Sequence, residues 1–334
     1  MSLFKRYLWL LILVLMCLLL ILFITGVSYG ALSLSISELI GGLTQSEDHK
    51  LASAIIYDMR LPRAILAALV GSALSVAGLL TQTLVRNPLA DPYLLGIANG
   101  ASLFAVSGIT LGLFIPQWLL AVLGATSAFI LVMMCANRKG VPVSPMALVL
   151  CGVTISSIGA SLTTLMMILG DEQALSQILR WLMGSLVGTT WEHTIPLSIA
   201  LPIIVYLAYR NRHYLDLMLL GDEKSQSIGV NLTLLRWQVA FGVLLLTGMS
   251  VASAGVVGFI GLLVPHICRL LVGGSHKHLI PITATLGAVT CVFVDIICRW
   301  LLAPNELPLS VPLALITAPL LLSLIRRQTH AAYR

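Results

Sequence analysis

Apolar runs of about twenty residues recur along this chain from end to end, and that recurrence decides the solvent in which it folds. Leu8 to Phe23, for example, is an unbroken succession of Leu, Ile, Val, Met, Trp, Cys and Phe. Only 10% of the 334 residues are charged, whereas a soluble domain covers its surface with roughly 25%. In lipid each crossing must satisfy its own backbone hydrogen bonds, which leaves helices or closed barrels. Barrel strands alternate apolar and polar residues over about ten positions, and these runs do not alternate. The fold class is therefore all-α, a polytopic membrane protein.

Breaks at charged, Gly and Pro clusters place apolar segments at 7–28, 63–84, 94–113, 118–136, 146–169, 195–209, 237–257, 259–271, 280–302 and 309–325. That is about ten crossings in a single transmembrane domain spanning 1–334. Lys5 and Arg6 before an apolar stretch resemble a signal peptide, but Tyr7 to Thr25 is long enough to span and reads as an uncleaved first helix. In this ten-helix arrangement fourteen of the nineteen Lys and Arg residues fall on one side, which is cytoplasmic by the positive-inside rule and takes both termini with it. The net charge of +6 is thus topological, and scattered basic loops argue against a nucleic-acid partner. The six cysteines lie in or beside apolar runs without metal-ligand spacing and read as packing residues, so no metal site is expected.

Two segments outside the spans stand out. Ala31 to Met59 links the first two helices on the outer side, with Ser35 to Gly42 as a short interfacial helix. On the inner side, residues 210–236 form the longest cytoplasmic loop. Leu215, Met218 and Leu219 recur there at helical spacing beside Leu220, Gly221 ends that helix, and Ser225 to Ile228 starts another before Gly229. Apolar side chains on a cytoplasmic loop need a partner.

Arg60 and Arg63 lie three apart at the outer mouth of the second helix, so one face can present both cations. Gly71, Ala73, Ala77 and Gly78 follow, small residues that let helices approach closely where no hydrophobic force drives them together. Arg86 to Pro92 carries two prolines and must be an extended turn at the cytoplasmic end. Gly258 to His266 reads GFIGLLVPH, with Gly258 and Gly261 as further packing positions and Arg269 beyond. Asp295 is the one acid well inside a crossing, and Arg299 is placed to form an i,i+4 ion pair with it. His266, a lone histidine, reads as packed or hydrogen-bonded rather than as a haem ligand. Ser75 to Gly78 is echoed by Ser250 to Gly255 on a helix of opposite direction, as inverted repeats would produce.

In this order, Arg60-Leu-Pro-Arg63, Gly71 to Gly78, Gln82, Arg86 to Pro92 with Leu95-Gly96, and Gly258 to His266 with Arg269 resemble the permease subunits of ABC importers for iron-siderophores, haem and cobalamin, the FecCD family. The resemblance covers nearly the whole chain. It implies the type II importer permease fold, a multi-pass location in the bacterial inner membrane, and a homodimer. Two cytoplasmic ATPase subunits and a periplasmic substrate-binding protein would be its partners. It further implies docking of that protein's acidic residues on Arg60, Arg63 and Arg299. A cytoplasmic gate would form from Asn87 and Leu89 beside Pro145 and Met146, and the 210–236 loop would couple to the ATPase. No GxxxxGK[ST] occurs in the sequence, so ATP and Mg would be bound by the partner and no cofactor by this chain. Iron-siderophore ranks first as cargo, then haem, cobalamin and an oxyanion such as molybdate. An ion-coupled transporter would need more buried ionisable groups than Asp295 and Arg299, and an intramembrane enzyme would need a nucleophile with its base or a metal-ligand motif.

Overall fold

The computed structural model describes residues 3–30, 34–137, 143–222, 225, 231–301 and 305–319. Among these the regular structure is helical: α1 (Leu3–Ser28), α2 (Ile36–Leu43), α3 (Lys50–Ala54), α4 (Leu61–Val85), α5 (Ile97–Thr110), α6 (Gln117–Ala136), α7 (Pro145–Leu169), α8 (Glu172–Leu182), α9 (Trp191–Arg210), α10 (Arg212–Met218), α11 (Leu232–Ala254), α12 (Ile260–Val272), α13 (His276–Leu301) and α14 (Ser310–Pro319). Seven helical stretches are long and apolar enough to cross a bilayer, and α5, α12 and α14 are shorter apolar helices, so the ten expected segments each have a helix.

The second segment begins earlier than expected. Lys50 to Val85 is one helical stretch of 36 residues, with a π-helical turn at Ile55–Arg60 between α3 and α4. The sequence placed 50–59 in a loop because Asp58 and Arg60 interrupt the apolar pattern; Arg60 is nevertheless buried, because neighbouring backbone carbonyls accept its protons. α2 forms as an outer helix, started by a capping box in which Ser35 and Glu38 satisfy each other's backbone N–H groups. α8 was not anticipated. Asp171 caps it by accepting from Ala174 N at 2.7 Å.

α4 is the axis of the fold. Its 25 residues are about 37 Å long, enough to cross a hydrocarbon core of about 30 Å. Every residue from Val70 to Leu84 is buried, and α4 packs against α13, α11, α12 and α9. Two of these contacts are backbone to backbone: a Cβ on Gly71 would run into the Gly287 carbonyl of α13, and one on Gly78 into the Gly261 carbonyl of α12. Ser72 Oγ adds a bond to Ala284 O at 2.7 Å. α1, by contrast, packs mainly on α13 and turns Trp9, Leu10, Leu13 and Leu20 outward, as lipid permits.

Gly258 departs from its expected packing role: nothing lies within 4 Å of where its Cβ would stand. It belongs to the break at residues 255–258 between α11 and α12 rather than to a helix face. Gly78→Ala should therefore cost about 1–3 kcal/mol through overpacking, and Gly258→Ala no more than about 0.5 kcal/mol. Thermal unfolding of the purified protein in detergent reads both.

Candidate functional site

The charged side chains gather at the two ends of α4. At the outer end, Arg63 donates from Nε and Nη2 to Asp295 Oδ1, at 3.0 and 2.8 Å, and from Nη1 and Nη2 to the two oxygens of Glu306, at 2.9 and 2.7 Å. Arg299 Nη2 stands 2.9 Å from Asp295 Oδ2, one turn along α13, and Arg299 Nη1 donates to Gly26 O and Tyr29 O at the end of α1. Arg60 Nη1 donates to Val27 O and Ser28 O. Asp295 thus lies between two guanidiniums rather than one, and Glu306 is a partner that its sequence position did not disclose.

Arg60 and Arg63 therefore do not project from the outer surface as a pair of free cations, as their spacing had suggested, and Arg299 is paired with Asp295 as expected. Burial in a low-dielectric setting demands partners for them, and the ends of α1 and α13 supply carbonyls and carboxylates. They still converge: Arg60, Arg63, Arg299, Asp58 and Glu306 line one outer cavity of about 370 Å³ with Leu186 to Thr190 above α9.

At the cytoplasmic end, Arg86 caps α4 in the left-handed region (φ 56°), an uncommon conformation for a residue with a side chain. Its Nε donates to Met218 O at 2.7 Å, at the end of α10, and its Nη2 to Asp222. Arg236, on α11, is fully buried and donates from Nη2 to the same Asp222 oxygen at 2.5 Å and from Nη1 to Val143 O at 2.8 Å. Burial acts against the Asp222 carboxylate, yet the bonds from Arg86 and Arg236 hold it below the usual range. Because its folded pKa is depressed, this link is complete above about pH 4 and is lost only as pH falls through the lower folded value.

α4 ends at Val85, so the chain turns before Pro88 and Pro92 as expected. Asn87 Oδ1 accepts from Leu89 N at 2.9 Å, Leu89 is exposed, and Met146 is exposed one residue after Pro145 at the start of α7. The quoted sequence segments also meet in space. Arg269 donates to Gln82 Oε1, Gln82 reaches back to Gly261 O and Leu262 O at 3.4 Å, and Tyr93 Oη donates to Val257 O at 2.7 Å. His266 is buried with neither ring nitrogen hydrogen-bonded among the described residues. Among the same residues no group of three or more His, Cys, Asp or Glu could hold a metal ion.

The 210–236 loop divides its apolar residues. Leu215 and Met218 are buried in the chain's own core, so they need no outside partner, contrary to their expected role. Helical spacing put them on a face with Leu219 but could not say which way that face turned. Leu219 and Leu220 are exposed, Gly221 has φ +105°, and Ser225 folds back on Leu217 O and Gly221 O at 2.8 and 2.7 Å. Ile228 and Gly229 lie outside the described residues. Sequence reasoning had not singled out Asp222, Arg236 or His276; an arginine in the first turns of an apolar helix was the available signal that a carboxylate must be near.

α7 carries a feature of another kind. Thr154, Ser157, Ser161 and Thr164 recur at spacings of three and four on an exposed face, each bonded to the carbonyl four residues back. Ser157 also borders a mainly apolar cavity of about 560 Å³, whose wall includes Asp91, Tyr93, Val153, Phe259 and Leu262. Burial pushes the Asp91 carboxyl up to about 6, against the opposing bond from Tyr93 N.

Asp295→Asn would leave Arg63 and Arg299 buried with too little negative charge, and should cost about 3–5 kcal/mol in detergent unfolding. Glu306→Gln, which keeps acceptors at a partly exposed site, should cost about 1 kcal/mol or less.

The sequence matches the FecCD transport family over residues 18–327. It is 34% identical over 314 residues to the Fe(3+)-citrate import system permease protein YfmD of Bacillus subtilis, covering 92% of this chain and 93% of that protein. It is 38% identical to the Fe(3+) dicitrate transport system permease protein FecD of Escherichia coli, covering 79% and 83%. To the vitamin B12 import system permease protein BtuC of Vibrio cholerae it is 34% identical, covering 83% and 84%. The fold superposes with TM-score 0.84 and 29% identity on an ABC transporter assigned to the metal-chelate type, in an inward-facing conformation, covering 95% of this chain and 98% of that one. A match that runs through nearly every helix, on a fold that agrees over the same span, means that this multi-pass membrane protein belongs to the FecCD transport family.

Proposed function

We propose that the chain is the permease subunit of a binding-protein-dependent ABC importer, carrying a metal chelate inward across the bacterial inner membrane. The observation that carries this reading is the near-complete alignment with relatives named as import permeases for Fe(3+)-citrate and vitamin B12. A ferric chelate and cobalamin are the two leading cargoes, since relatives named for each are about equally similar. The chain works as a homodimer.

Two cytoplasmic ATPase subunits bind and hydrolyse ATP with Mg, since no phosphate-binding loop occurs in this sequence. They engage Leu219 and Leu220, adjacent apolar residues of the 210–236 loop that face outward. A periplasmic binding protein docks above the outer cavity, where acidic side chains reach the rim of the Arg60, Arg63 and Arg299 cluster; such pairs fix register more than they add affinity. Asn87, Leu89, Pro145 and Met146 form the cytoplasmic gate. The ion pairs of Asp295 are structural in this scheme, because an ATP-driven importer needs no proton carrier.

The test is uptake into proteoliposomes holding this chain with its ATPase and binding protein, with ferric citrate, other ferric siderophores, haem and cobalamin offered separately. One ligand should accumulate, and only with ATP and the binding protein. Accumulation driven by an ion gradient without the ATPase would overturn the reading and make Asp295 the residue to study. Replacing Leu219 and Leu220 by Ala should leave ATP hydrolysis running while uptake falls; undiminished uptake per ATP would make the loop a connector.

A further inference from the structure

The cytoplasmic charges do more than neutralise one another: they connect segments far apart in sequence. Asp222 follows Gly221 just past α10 and holds two guanidiniums on one carboxylate oxygen. Arg86, the first of the two, is also the first residue of the turn bearing Asn87 and Leu89, and it grips Met218 O with its Nε. Arg236, the second, grips Val143 O, two residues before Pro145 at the start of α7. One carboxylate thus gathers the end of α10, the end of α4, the start of α11 and the approach to α7.

A second tie runs parallel to the first. Asp216, on α10, accepts from His276 N at 3.0 Å and lies 2.5 Å from His276 Nδ1. His276 Nε2 lies 2.8 Å from Thr83 Oγ1, in the last turn of α4. α10 is therefore fastened to the end of α4 on both flanks, while Leu215 and Met218 are sunk in the core and Tyr214, Leu219 and Leu220 look outward.

We propose that Asp222 is a positioning residue that makes α10, the turn after α4 and the start of α7 move as one body, so that displacement of α10 reaches both gate segments. The inference rests on the reading of the 210–236 loop as the ATPase contact. Two physical facts remove slack from the tie. Arg236 is fully buried and cannot release its carboxylate without leaving a desolvated charge. Arg86 occupies a left-handed conformation that persists only while its surroundings over-determine it, and the bonds to Asp222 and Met218 do so. Coupling between sites needs an element whose position both sites bias, and a segment clamped to α10 at one end and bearing the gate residues at the other meets that condition.

The experiment reconstitutes the assembled transporter with Asp222→Asn, Arg86→Gln or Arg86→Lys, and measures ATP hydrolysis and uptake of ferric citrate and cobalamin. Spin labels at Tyr214→Cys and Pro88→Cys, in a background lacking the six native cysteines, report the distance from loop to turn with and without trapped nucleotide. With Asp222 present, that distance should be narrowly distributed and the same in both states. Asp222→Asn should broaden it and lower uptake per ATP by about tenfold while hydrolysis continues. Arg86→Lys should retain more uptake than Arg86→Gln. Arg86→Gln leaves the Asp222 and Arg236 pair intact, so it carries the same expectation if Asp222→Asn does not assemble. Native uptake per ATP with an unbroadened distance in both variants overturns the proposal. If Leu219→Ala with Leu220→Ala uncouples in that same experiment, the loop remains the ATPase contact and only the tie is wrong. If that variant is also without effect, the loop reading falls and the tie with it.

Discussion

The approach of α4 to its neighbours at backbone distance is the contact on which the rest of the molecule depends. In lipid no hydrophobic force pulls one helix onto another, so association rests on packing and on bonds between helices. Gly71 against Gly287 and Gly78 against Gly261 let α13 and α12 lie on α4 without side chains between them. With that spacing established, Ser72 reaches a carbonyl on α13 and Gln82 meets Arg269 on α12. The small residues and the polar contacts are thus one arrangement: the former set the distance at which the latter can form.

A helix buried along most of its length still has to end, and both ends of α4 are ionic. At the outer end Arg63 lies between Asp295 and Glu306, residues more than 230 positions away in the chain. At the inner end Arg86 and Arg236 share Asp222. Charges near a bilayer are costly unless paired, so each cluster specifies which helices meet at that level of the membrane. The outer cluster joins α1, α4 and α13; the inner one joins α4, α10, α11 and the residue that precedes α7.

Which parts of this were legible beforehand follows from the range of the interactions involved. The ten apolar segments rest on local composition, and α2 falls where Ser35 to Gly42 was read as a short helix. The pair of Asp295 with Arg299 was legible because one helical turn separates them. Arg63 with Glu306 was not, because nothing local relates residue 63 to residue 306. The extension of the second span back to Lys50 was missed for a similar reason. Asp58 and Arg60 look like loop residues until the end of α1 supplies carbonyl acceptors.

By itself, then, the amino-acid sequence determined the solvent, the helical class, the ten apolar helical segments and the segments that carry family character, since each depends on hydropathy and residue size over a window of about twenty positions. Only the tertiary structure decided which way side chains point and what they meet. It turned Leu215 and Met218 inward and left Leu219 and Leu220 outside, gave Gly78 a backbone neighbour and Gly258 open space, and made Asp222 the meeting point of two arginines. The physical reason is that burial and pairing depend on distances between helices, and those distances are set by packing among residues that the chain keeps hundreds of positions apart.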